Sequence, residues 1–154
     1  MGALENRIPP PLVATLFGLL MWLAARQLPG ALQLAIEWRI ALALLVLLAG
    51  VSICLAGVLS FRHARTTVNP LKPETASALV SSGVYRYTRN PMYLGFATAL
   101  LAWAIYLAWP PALLGVLGFV LYMNRFQIEP EERALAGLFG SDFEQYCSRV
   151  KRWL

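Results

Sequence analysis

Ile40 to Phe61 contains no charged residue, and a helix of that length, at 1.5 Å per residue, runs about 33 Å. The hydrocarbon core of a bilayer is about 30 Å thick. This stretch therefore predicts a membrane-spanning helix. Three further apolar stretches, about 12–28, 92–109 and 112–128, fall in the usable range of roughly 17–25 residues. Composition points the same way. The chain is 58% hydrophobic and 14% charged, against roughly 45–50% and 25% for soluble domains. At 154 residues it is one domain by length. The expectation is an all-α, polytopic membrane protein with four transmembrane helices in two hairpins, followed by short cytoplasmic C-terminal helices. A cleaved leader is the competing reading of the first stretch, with Ala24-Ala25 near a cleavage site. Pro9-Pro10-Pro11 and Glu5 argue against it.

Charge placement predicts the topology. Of the 13 Lys and Arg residues only Arg26 and Arg39 fall between the first two stretches, and none falls in the Trp109-Pro110-Pro111 turn. The others precede the first stretch (Arg7), lie between the second and third (Arg62, Arg65, Lys72, Arg86, Arg89), or follow the fourth (Arg125, Arg133, Arg149, Lys151, Arg152). The positive-inside rule puts both termini and the central loop in the cytoplasm. The net charge of +5 is then a topology signal with attraction to anionic lipid, and nucleic acid is not needed to explain it. Cys54 and Cys147 suggest neither a disulfide nor a metal site, and Cys147 reads as a passive thiol.

The central loop, 62–91, contains Pro70, Pro73 and a helix-compatible stretch around Glu74–Val80. In the tail, Pro130 suits a first helical position and Glu131 and Glu132 a first turn. Gly140 suits a helix end, and Ser141-Asp-Phe-Glu144 resembles a capping box.

Basic, aromatic, Gly and Pro residues concentrate in Gly83-Val-Tyr-Arg-Tyr-Thr-Arg-Asn-Pro-Met-Tyr-Leu-Gly95. Asn90-Pro91 is a helix-start signal, and a helix N-terminus beside Arg86 and Arg89 suits an anion. Gly83 permits a tight turn, and Gly95 removes a side chain where something can approach closely. An interfacial aromatic and Arg anchor explains the same composition. Paired with Glu131-Glu132, the segment gives an anion site and a cation site, which suits a zwitterionic cofactor. His63, the one histidine, reads as a solvated interfacial residue.

Tyr85-Arg86-Tyr87-Thr88-Arg89-Asn90-Pro91-Met92-Tyr93-Leu94-Gly95, with Glu131-Glu132-Arg-Ala-Leu135 and Phe139-Gly140, resembles the isoprenylcysteine carboxyl methyltransferase and phospholipid methyltransferase family over roughly 66–152. Those are integral membrane enzymes that use S-adenosylmethionine. The resemblance implies a single methyltransferase domain, 1–154, in which 12–61 form a scaffold hairpin and 62–154 the cofactor-binding and catalytic part. It implies cofactor contacts from Leu79, Val80, Gly83, Tyr85, Arg89, Asn90, Tyr93, Gly95, Glu131 and Glu132, with Arg89 and Glu132 also catalytic. The implied acceptor is a lipidic or apolar small molecule bearing a carboxylate, amine or thiol. The family pattern commonly reads Arg-His-Pro, and Asn90 stands here in place of His. Asn keeps a hydrogen bond but does not titrate near neutral pH, so a cofactor-holding role survives and a proton-transfer role does not. An NADPH-dependent sterol or lipid reductase and a non-catalytic lipid-binding scaffold are the alternatives.

Overall fold

The structure is a computed structural model describing residues 5, 7–64 and 78–154. Every regular element among them is helical: α1 (Pro10–Gln27), α2 (Ile36–His63), α3 (Pro91–Leu107), α4 (Leu113–Met123), α5 (Glu129–Phe139) and α6 (Ser141–Arg149). Most of the helix-compatible stretch at Glu74–Val80 lies outside the described residues, as do Arg65 and Lys72. Its described end, Ala78 to Val80, is not helical.

Two helical runs, Ile36–His63 and Pro110–Phe139, are long and apolar enough to cross a bilayer, and α3 is a shorter apolar helix of 17 residues. A helix that is apolar all round belongs either in a large core or in lipid. For α2 the choice is decided by exposure, because only 17% of its most apolar stretch is buried inside the protein. Leu44, Leu45, Leu48 and Leu55 of α2 are exposed, as are Leu12 and Leu16 of α1 and Leu114 and Leu121 of α4. This is a membrane protein.

The core forms around α3. Its Tyr93, Ala97, Leu100 and Ala104 repeat at helical spacing and meet Val13 and Met21 of α1 and Phe119 and Met123 of α4. Phe17 meets Phe119 edge to face at 6.2 Å, and Trp103 donates its indole N–H to the Gly18 carbonyl at 3.0 Å. On the other side of α3, Gly50 and Gly57 of α2 lie against Gly95 and Met92. The expected first hairpin is therefore corrected in its packing. α1 packs on α3 and α4, α2 packs on α3, and the two consecutive helices share no comparable contact. The cause is the small side chains of α3, which admit a neighbour on both faces.

Both connections at one end of the bundle are tied together. Leu32 donates its amide to the Ala108 carbonyl at 2.7 Å, and the Trp109 indole donates to Pro29 at 3.1 Å. At the other end, α4 does not stop where a separate tail helix was expected. A π turn over Asn124–Ile128 carries it straight into α5. α5 ends at Gly140, whose φ is 50°. The capping box does not form: Ser141 is already helical, Gly140 is the N-cap, and no side chain caps α6.

Candidate functional site

The segment before α3 is shaped by a single 3₁₀ turn over Gly83–Arg86. Gly83 has φ 61° there, and a Cβ on it would stand 2.9 Å from the Ser60 hydroxyl oxygen of α2. Thr88, 1% exposed, accepts the Asn90 amide at 3.2 Å on its hydroxyl oxygen. Asn90 occupies the N-cap position and Pro91 opens the helix, as the dipeptide predicts, but the Asn90 side chain makes no capping bond. Its amide Nδ2 donates instead to the Arg152 carbonyl at 2.9 Å. The competing acceptor lies on the tail, so no local pattern announces it.

Arg89 sits at the centre. Its Nη1 donates to the carbonyls of Cys147 and Val150, at 3.2 and 3.0 Å, and its Nη2 pairs with Glu132 Oε1 at 2.7 Å. Its Nε is buried and makes no hydrogen bond to any described residue. Glu132 also receives Arg152, whose Nη2 lies 2.6 Å from Oε2 and whose Nε lies 3.2 Å from Oε1. That hydrogen bond to Glu132 raises the Arg152 guanidinium above its ordinary value. Arg89 and Glu132, read from the sequence as parts of an anion site and a cation site, are thus paired with each other.

Glu131, the next residue, faces the other way. Its Oε1 accepts the Tyr93 hydroxyl and the Gln127 amide, the latter at 2.7 Å. Its Oε2 carries no hydrogen bond among the described residues. The π turn just before α5 helps to aim both carboxylates, because one extra residue in the turn rotates all that follows, and such bulges recur at functional sites.

These groups line one cleft. Leu79, Val80, Tyr85 and Asn90 form part of its wall, with Arg89, Tyr93, Glu131 and Glu132. Gly83 and Gly95 do not line it. Gly83 serves the turn, and Gly95 lets the α2 backbone approach α3. Phe61, Leu135, Phe143 and Tyr146, none of them among the expected site residues, complete an apolar and aromatic wall. The Tyr146 hydroxyl donates to the Tyr85 carbonyl at 2.8 Å. Burial pushes both phenols up, so each is neutral at physiological pH. Arg152 and the buried Gln127 are the polar residues that sequence reasoning missed. Arg152 reads there as one more topology charge, and Gln127 as the end of an apolar stretch. The i, i+4 spacing of Gln127 and Glu131 was the available signal.

Residues 38–142, about two thirds of the chain, match the phospholipid methyltransferase family. A stretch of 63 residues is 44% identical to an uncharacterized protein of Haemophilus influenzae, covering 41% of this chain and 100% of that protein. No solved structure matches. A helical membrane protein whose Arg-Asn-Pro segment and Glu-Glu pair close on one cleft, and whose sequence matches over this span, belongs to the phospholipid methyltransferase family and is an S-adenosylmethionine-dependent methyltransferase of lipid-type acceptors.

Proposed function

We propose that the cleft between the 3₁₀ turn, the start of α3 and α5 binds S-adenosylmethionine and presents it to a lipidic or apolar small molecule at the cytoplasmic face. In this reading α1, α2, α3 and the Pro110–Phe139 run all cross the membrane, with both termini inside, which the Lys and Arg distribution supports. Residues 62–154 then carry the chemistry and 12–61 support it, except that Phe61 reaches the cleft wall.

The observation that carries the reading is the pair of unused valences on adjacent clusters. The buried Arg89 Nε–H lacks an acceptor, and a buried donor left unpaired costs about 1–3 kcal/mol. It fits a carboxylate. Glu131 Oε2 fits an ammonium or a ribose hydroxyl. A zwitterionic cofactor satisfies both, so the residues present suit this group. Both Glu132 oxygens are taken by arginines, which favours Glu131 for the direct contact and gives Glu132 the task of holding Arg89. Leu79, Val80 and Tyr85 supply apolar and backbone contacts, and Asn90 fixes the loop.

When bound, the cofactor supplies a methyl group on a sulfonium, open to in-line displacement. The chain's part is positioning, which by itself accounts for much of the acceleration in reactions between two held reactants. Its apolar wall excludes water from the reacting centre. For a carboxylate or thiolate acceptor Arg89 provides the orienting positive charge.

Isothermal titration in detergent tests this. The wild-type protein is expected to bind S-adenosylmethionine and its demethylated product saturably, and Glu131→Gln to weaken both by roughly tenfold or more. Absence of saturable binding by the wild type would sink the proposal. Undiminished binding by Glu131→Gln would remove Glu131 from it.

A further inference from the structure

The chain after α6 runs as a strap across the start of α3. Its carbonyls take up the loop one after another: Val150 accepts Arg89 Nη1 at 3.0 Å, Lys151 accepts the Arg89 amide at 3.0 Å, and Arg152 accepts Asn90 Nδ2 at 2.9 Å. Beyond them, the Trp153 indole donates to Asn124 Oδ1 at 2.9 Å, fastening the strap to the π turn. The Arg152 side chain returns to the site as a fork, with one nitrogen on each oxygen of Glu132. A fork on a carboxylate fixes the plane of the carboxylate as well as its place. Glu132 Oε1 is thereby held where Arg89 Nη2 meets it, 2.7 Å away. Arg89 Nη1 is thus taken by two carbonyls and Nη2 by Glu132, while the buried Nε makes no hydrogen bond to any described residue. The Arg152 side chain itself is not among the residues lining the cleft.

We propose that Arg152 is a positioning residue for methyl transfer: through Glu132 it sets the orientation of Arg89, and its strap makes residues 150–153 part of the cofactor site. The inference rests on the cleft around Arg89 being that site. Lysine lacks the fork, so it restores charge without fixing the carboxylate plane.

The test has one arm that needs no ligand. In the full-length protein in detergent, Arg152→Gln is expected to speed hydrogen exchange at the Arg89 amide about tenfold while exchange within α2 is unchanged. The second arm is titration with S-adenosylhomocysteine. Arg152→Gln should weaken its binding by about tenfold, Arg152→Lys by less, and Glu132→Gln/Arg152→Gln no more than Glu132→Gln alone. Unchanged exchange at Arg89 overturns the positioning role, and so does a double variant weaker than Glu132→Gln. A wild-type protein that binds no S-adenosylhomocysteine, but whose Arg89 exchange responds to Arg152→Gln, overturns the cofactor reading and leaves the positioning of Arg89 standing.

Discussion

Glu131 and Glu132 are neighbours in sequence, and successive helix positions point about 100° apart. One carboxylate therefore enters the Tyr93–Gln127 pair and the other the two-arginine fork. Cys147 touches the same cluster through its carbonyl, which accepts Arg89 Nη1. Burial pushes the Cys147 thiol up, outweighing the opposing pull of the Arg89 charge. A raised pKa keeps the thiol protonated and unreactive. At pH 8 an ordinary thiol is about one quarter thiolate, and Cys147 is expected to hold less. In a Cys54→Ala background, alkylation by iodoacetamide at pH 8 should be clearly slower than for a free cysteine peptide, and should rise only at more alkaline pH. Equal rates at pH 8 contradict this. At this scale the sequence shows Arg89, Tyr93 and the Glu pair, because each belongs to a local motif. It does not show Arg152, which lies beyond α6 and whose partner is 20 residues away on α5.

The crossing of α2 and α3 sets where the Arg-Asn-Pro segment stands. A Cβ on Gly95 would lie 2.7 Å from the Gly50 carbonyl oxygen and 2.8 Å from Cys54 Cβ. The Gly50 contact is backbone, so α2 itself must move to relieve it. Gly95→Ala is expected to destabilise the protein by about 1–3 kcal/mol, seen as a lower apparent Tm in detergent. The cleft is spared direct contact, so cofactor affinity of the folded fraction should change by less than threefold, a difference of about 0.65 kcal/mol. An unchanged Tm argues against the close crossing. Helix positions follow from hydropathy and from Asn90-Pro91, Pro110-Pro111 and Gly140. The π turn and the unused capping box do not, since each depends on what the neighbouring helix offers. Ser141 resembles an N-cap in sequence, yet Gly140 takes that place.

Over the whole molecule, apolar residues that face lipid and those that face another helix are chemically alike. Hydropathy therefore locates the helices without saying which of them touch. The clue lies in the small residues of α3, Gly95, Ala97, Ala102 and Ala104, which mark it as the central helix. The resulting arrangement puts the α1–α2 link against the Trp109 turn at one end and the cleft at the other. If the proposed four spans cross the bilayer, Gln33 and Asp142, both exposed, lie on opposite sides. In a background lacking both natural cysteines, an impermeant maleimide applied to intact cells should label Gln33→Cys and leave Asp142→Cys unlabelled until the cells are lysed. Labelling of both from outside would mean that α1 and α2 do not bracket the same span of bilayer as α3 and the Pro110–Phe139 run. Labelling of Asp142→Cys alone would invert the assignment and place the cofactor cleft on the side where the positive-inside rule forbids it.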